Sequence, residues 1–440
     1  MCDLKMSRFS FFTACFLLLG LTAPQSTSAE TLQDAVKSVL TSYPTITAAE
    51  AAQEVIEQEA QEFRSNYFPD ISLGATGGRI YGDNSTSRGL SVTRGAGYSY
   101  LWEGNAALTQ NIFDGFETES RIESARMRAE SGLKNIVDVR ERLTAQTAQA
   151  YLDIMRTQTA LNMIDAHLIL LEDYRGRISS MVEEGAADEA ERKQAEDTFL
   201  IAQTIRNDAE AEFHIAMAQY LQLTGRQPDG SLTMPQLRTD LLPQNLQDAL
   251  GIAKNHPALI AAKLEAQSGD YDIDAETAAY YPDIDAEMSY LKRDQRDIIG
   301  GETIDARAVL SMNWEFATGG AVKARVRQRQ QEQRELEALY EDLKRQINLG
   351  VHQAWAEYHA SAKALNMLGT RLAINQDLVS TYETQFEGGN IRLLQLMQGK
   401  NTLFQVKIEH LNATYRRALA EMALLGSIAR LQTSLGLSEL

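Results

Sequence analysis

Two stretches of about 67 residues, Gly115 to Val182 and Gly320 to Phe386, contain no proline. Helical throughout, each would run roughly 100 Å at 1.5 Å per residue. Ordinary globular helices are far shorter. Such a helix is stable only if partner helices cover an apolar stripe along its length. The stripes are there. Ile154, Leu161 and Leu168 step by seven, as do Ile164, Leu171 and Ile178, and in the second stretch Tyr358, Leu365, Leu372 and Val379. Paired seven-residue columns three residues apart predict coiled-coil packing. The faces opposite the stripes, rich in Gln, Asn, Glu, Arg and Thr, are expected to meet water.

The chain also repeats itself. Thr31-Leu32-Gln33-Asp34-Ala35 returns as Asn245-Leu246-Gln247-Asp248-Ala249, and Tyr43-Pro44 as His256-Pro257. Tyr67-Phe68-Pro69-Asp70-Ile71 returns as Tyr280-Tyr281-Pro282-Asp283-Ile284. Later pairs include Ala160 to Ile164 with Ala364 to Leu368, and Glu184-Gly185 with Glu387-Gly388. The offset falls from near 213 to 204, so one loop of the first half is longer. Two copies are too few for a solenoid. The expected organisation is a leader over 1–29, a first repeat over 30–236 and a second over 237–440, together one protomer. Each repeat reads as short helix, long helix, strand pair, very long helix, turn and long helix.

The strand pairs precede the very long helices. Ile71, Leu73 and Ala75 alternate with polar residues, as do Tyr98, Tyr100 and Trp102 after a Gly/Ser/Asn-rich loop from Gly77 to Gly97. So do Ile284, Ala286, Met288 and Tyr290, and then Ala308, Leu310, Met312, Trp314 and Phe316. Period-two alternation marks strands with one apolar face. Each run reaches the length that crosses a bilayer tilted. Pro69 and Pro282 sit where a strand can begin without losing a ladder bond. Four strands cannot close a barrel, and open edges are not tolerated in lipid. The strands therefore imply an oligomer.

The N-terminus supports export. Lys5 and Arg8 precede an apolar run from Phe9 to Leu21, then small residues end at Ala29, the pattern of a secretory leader cut before Glu30. The run is too short for a membrane anchor. Cys15 lies inside it and is poorly placed for lipidation. The other cysteine is Cys2, so the mature chain would have no disulfide and no thiolate site. With 60 acidic and 42 basic residues, the net charge of −18 argues against a nucleic-acid partner.

Taken together, these residues resemble the outer membrane efflux protein family, the TolC-like channels, across about 30–436. The resemblance is carried by the strand starts at Tyr67-Phe68-Pro69 and Tyr281-Pro282. It is also carried by the junctions Phe113-Asp114-Gly115 and Phe316 to Gly320, and by Phe386-Glu387-Gly388-Gly389 through Leu393-Leu394 and Asn401 to Gln405. It implies a mainly α homotrimer. Long antiparallel coiled-coil helices would form a periplasmic α-barrel, and four strands per chain a twelve-stranded β-barrel in outer-membrane lipid. It implies a periplasmic adaptor and an inner-membrane pump of the ABC or RND type as partners. The exported cargo would be small molecules or whole proteins.

The resemblance further places adaptor docking at the helix–turn–helix tips, at Gly185, Gly388 and Gly389. It places the tunnel entrance at Gln395 and Gln398, where family members commonly carry aspartate. Glutamine keeps polarity without charge, so a negative ring would have to come from Asp188 and Glu191. No cofactor, metal or catalytic residue is expected. His352 and His359 could share a helix face, but two imidazoles without thiolates make a poor zinc site. Asp270, Asp272, Asp274 and Glu276 lack the glycine and bidentate glutamate of a calcium loop in register. The alternative reading is a periplasmic coiled-coil adaptor or structural protein without a barrel.

Overall fold

The computed structural model describes residues 29–82, 97–295 and 302–437. The expected leader up to residue 28, with Cys2 and Cys15, and most of the expected Gly77-to-Gly97 loop lie outside the described residues. Helices α1 (Leu32–Ser42) and α2 (Pro44–Ser65) lead into strands β1 (Asp70–Gly82) and β2 (Gly97–Phe113). Helices α3 (Glu117–Glu183) and α4 (Glu189–Thr224) follow. Then come α5 (Leu246–Ala253), α6 (Pro257–Thr277), β3 (Asp283–Gln295) and β4 (Glu302–Asn313). The chain closes with α7 (Ala321–Glu387), α8 (Leu393–Ser427) and the short α9 (Leu431–Ser434). Both very long helices span 67 residues.

Local chemistry sets these boundaries. Thr31 and Asp34 form a reciprocal capping box on α1, and Asn245 accepts from the Asp248 amide (2.9 Å) to cap α5. Pro44 and Pro257 occupy the first turns of α2 and α6, where the missing N–H costs nothing. At the start of α3, Asp114 accepts from the Thr118 amide at 2.8 Å. Gly115 there has φ 69°, and an added Cβ would lie 2.7 Å from the Ala278 carbonyl. Phe-Asp-Gly is therefore a tight strand-to-helix turn that only glycine can make.

Helix α3 is the spine of the protomer, touching α2, α4, α6 and α8. Midway along it, α1, α4, α8 and α9 pack around Leu143, Tyr151 and Leu152, with Leu32, Tyr220 and Leu425 fully buried. A second core nearer the helix ends joins Leu171, Ile178, Ala195, Leu393 and Met397. The seven-residue columns face these seams; Ile164, Leu171, Ile178 and Val379 are buried. Toward the sheet, two helix pairs pack closely at a glycine. Gly132 of α3 lies against Gln53 of α2, and Gly269 of α6 against Gln333 of α7.

The outer faces differ from the expectation of uniform polarity. Helix α7 buries only Val322, Val351, Ser361 and Val379, and leaves Leu339, Leu349, Met367 and Ile374 exposed. Helix α4 leaves Leu200, Ile201, Ile205 and Ile215 exposed. Two strand limits also shift. β1 continues through Gly77 and Gly78, and β4 ends before Trp314 and Phe316.

Gly132→Val and Gly269→Val should each lower stability by about 1–3 kcal/mol through overpacking. Gly176→Ala, in open space on α3, should raise it by about 0.5–1 kcal/mol. Thermal unfolding of the three variants checks this, and shifts of one sign for all three would refute the close-approach assignment.

Candidate functional site: the sheet faces and the helix tips

The four strands form one antiparallel sheet in the order β1-β2-β3-β4. The register sorts its side chains by face. Ile71, Leu108, Met288 and Ala308 form one cross-strand row, and Leu73, Ala106, Tyr290 and Ala306 the next. Ala286 pairs with Leu310, and Ile284 with Met312, on the same face. Leu73 is 81% exposed and Leu310 is 71% exposed. Apolar side chains this open, in continuous rows, require a nonaqueous neighbour. The opposite face carries Asp70, Thr109 and Glu287 in one row and Ser72, Ala107, Ser289 and Arg307 in another. Glu103 pairs with Arg293 there at 2.6 Å, and Asn111 donates to Asp283 (2.7 Å) and Asp285 (3.2 Å).

Aromatic residues bracket the apolar face. Tyr67, Phe68, Tyr280, Tyr281, Trp314 and Phe316 are exposed at the helix end of the sheet, and Tyr81, Tyr98, Tyr100 and Trp102 at the far end. An apolar band between two aromatic girdles is the outer surface of a membrane β-barrel. Among the described residues no helix is long and apolar enough to cross a membrane.

At the other end of the molecule, the helix pairs turn. Helix α3 closes with Gly185 at φ 75°, where the Ala186 amide donates to the Met181 carbonyl at 2.7 Å. Helix α7 closes with Gly389 at φ 73°, where the Asn390 amide donates to the Gln385 carbonyl at 2.8 Å. Both are Schellman-type ends. Gly388, by contrast, keeps the right-handed conformation of a helix cap.

The two turns are bound to each other. Asp188 caps α4 by accepting from the Glu191 amide at 2.9 Å. The position before α8 is Arg392, which makes no side-chain cap. Its guanidinium instead reaches Glu191 at 2.5 Å and lies 3.8 Å from Asp188. The hydrogen bond that Arg392 donates to Glu191 holds the guanidinium proton still more firmly. Glu191 is buried and Asp188 exposed, and the two candidate entrance acids share this one cation within the protomer. Gln395 and Gln398 lie on the exposed side of α8, opposite buried Leu393, Leu396 and Met397. Arg392 was not among the residues singled out from the sequence. The signal was available: Asp188 and Arg392 are 204 apart, so equivalent cap positions carry opposite charge.

Three of the remaining candidates, Asp272, Glu276 and His359, have structural partners. Asp272 accepts from Ser124 at 2.7 Å and pairs with Arg128, joining α6 to α3. Glu276 pairs with Arg325 of α7. His359 packs edge-on to Trp355 at 4.5 Å. The described residues contain no group of side chains suited to a metal ion.

Residues 35–226 and 249–430 match the family model described as outer membrane efflux protein. The chain is 23% identical to outer membrane efflux protein BepC of Brucella suis, over 96% of this chain and 92% of that protein. It is 22% identical to outer membrane protein TolC of Escherichia coli, over 94% and 86%. The CmeC outer membrane channel of Campylobacter jejuni shares the fold, with a TM-score of 0.80 over 91% of this chain and 86% of that one, at 12% identity.

Arg392→Ala should free Glu191 and loosen both turns. Hydrogen exchange of the amides between Gly185 and Arg192 should speed up several-fold, with the exchange of the sheet unchanged. Unaltered exchange at the turns would show that the ion pair does not hold them.

Proposed function

The chain belongs to the outer membrane efflux protein family, and from that premise we propose how this outer-membrane efflux channel is assembled and what it works with. Three copies close a twelve-stranded barrel in the outer membrane, and their long helices continue it as a periplasmic tunnel. The observation that carries this is the sheet. It has one lipid-compatible face, one polar face and two unpaired edges, β1 and β4. Copies of the same chain satisfy both edges at once. The exposed apolar stripes of α7 and α4 support the same reading, because neighbouring helices of adjacent copies would cover them.

The leader occupies 1–29 and the protomer comprises repeats at 30–236 and 237–440. Burial of the Glu30 carboxylate supports a mature start there: it accepts from the Tyr220 hydroxyl (2.8 Å), Arg226 (2.5 Å) and the Asp229 amide (2.7 Å). The tips at Gly185, Gly388 and Gly389 receive a periplasmic adaptor, which couples the tunnel to an inner-membrane ABC or RND-type pump. Cargo, whether small molecules or proteins, is selected by that pump. Gln395 and Gln398 line the periplasmic entrance as an uncharged ring, with Asp188 and Glu191 beside them offset by Arg392. The protein is a passive conduit and performs no reaction of its own.

Two experiments test this reading. Leu310→Arg should cost on the order of 2 kcal/mol per copy in lipid and reduce barrel assembly, whereas Ser311→Arg on the polar face should not. Equal assembly of both, measured by heat-modifiable mobility from isolated outer membranes, would reverse the assignment of faces. Planar-bilayer recordings address the entrance. Trivalent cations on the periplasmic side should block the unmodified channel weakly, and Gln395→Asp with Gln398→Asp should strengthen the block. No difference between the two forms would place both residues outside the lumen.

A further inference from the structure

We propose that the outer rim of the lipid-facing side is a binding site for a phosphate-bearing lipid of the outer leaflet, with Arg79 as its cation and the phenols of Tyr81, Tyr98 and Tyr100 beside it. The proposal rests on the outer-membrane placement of the sheet. The register puts Arg79 opposite Tyr100, and Tyr81 opposite Tyr98. All four residues lie on the face of Ile71, Leu73 and Ala75, because they sit an even number of positions along the strands from that set. Arg79 is nine positions above Asp70, where the sheet begins. That is about 30 Å along the strand, or roughly 20–25 Å of height at the tilt of a membrane barrel, the height of the apolar band. The guanidinium therefore emerges at headgroup level, above the hydrocarbon.

Its surroundings are those of an anion site. The centre of the guanidinium lies 4.7 Å from the Tyr98 ring centroid and 5.8 Å from that of Tyr100. The Tyr81 and Tyr98 rings are themselves 5.1 Å apart. Stacking on aromatic faces fixes the guanidinium plane and leaves its N–H edges free for bidentate contact with phosphate. Among the described residues no carboxylate pairs with Arg79. Lys292, the other cation of this face, already has Glu302 at 3.5 Å. Below Arg79 the Trp102 ring lies across Gly77, and beyond it the small residues Ala75 and Gly104 lead down the same face to an open apolar depression of about 500 Å³ between Ile71, Ala106, Met288 and Tyr290. A headgroup phosphate at Arg79 would lay an acyl chain along this path. Phosphate and chain together distinguish a lipid from a free anion.

The test is native mass spectrometry of delipidated protein in detergent, titrated with a bisphosphorylated acylated disaccharide (lipid A), with its dephosphorylated form, and with inorganic phosphate. The unmodified protein should retain the phosphorylated lipid in preference to the dephosphorylated one. Arg79→Ala should weaken retention about tenfold. Arg79→Lys should fall between, and Lys292→Ala should match the unmodified protein. Equal retention of both lipids, or no effect of Arg79→Ala, overturns the site. Competition by inorganic phosphate as effective as by the lipid shows a free-anion site instead. If Glu302→Gln abolishes retention as fully as Arg79→Ala, Arg79 serves an ion pair between copies and not a lipid. The protein mass in the same spectra reports the assembly separately. Loss of lipid with the trimer intact overturns this site alone, and a monomer mass overturns the assembly and the site together.

Discussion

Unpaired backbone at the edges of a sheet in lipid is the constraint on which this molecule depends. Water satisfies a free strand edge on a soluble protein, and hydrocarbon cannot; each unmet N–H or C=O costs several kcal/mol there. β1 and β4 each present such an edge. Their outward side chains, Leu73 and Leu310 among them, are too apolar for water. The sheet is thus unsuited to solution and incomplete in a membrane as one copy. Everything below it follows the same logic, for α7 buries little of itself within the protomer and offers its apolar stripe outward.

The strand-to-helix turns transmit this arrangement into the periplasm. Asp114 and Gly115 redirect the chain from β2 to α3 within a few residues, leaving no slack between barrel and bundle. At the far end, near-symmetry is broken where it matters. A second aspartate at position 392 would have capped α8 as Asp188 caps α4, and would have added negative charge beside Glu191. Arginine gives up the cap and ties one hairpin to the other. In the proposed placement, the entrance has amides at Gln395 and Gln398 and, beside them, two acids that share one arginine.

Much of this was legible in the sequence, for identifiable reasons. The 67-residue helices announced themselves because proline is absent within them and seven-residue apolar columns run along them. The strand faces were legible because register preserves alternation across all four strands. The misread limits also have causes. Gly77 and Gly78 read as loop, yet Gly77 stays in the strand because the Trp102 ring lies across it, where a Cβ would sit 2.8 Å from the indole. Trp314 and Phe316 kept the alternation but lie past the last ladder pair, with the Trp314 indole donating to the Tyr280 carbonyl at 3.2 Å. The repeat offset marks Arg392 as the counterpart of Asp188, but its pairing with Glu191, 201 positions away, leaves no local pattern. The apolar residues of α4 and α7 were hidden among polar neighbours, since composition does not say which of them share one face of a helix.

The most direct measurement joins the two free edges. Ser72 of β1 and Ser311 of β4 lie on the polar face, two positions inside Asp70 and Asn313 at the helix end of the sheet, on opposite outer strands. With both changed to cysteine and oxidised in isolated outer membranes, neighbouring copies should be joined β1 to β4. The non-reducing gel should then show a covalent ladder that ends at three chains. Product confined to the monomer mass, or a ladder continuing past three, would contradict the closed ring.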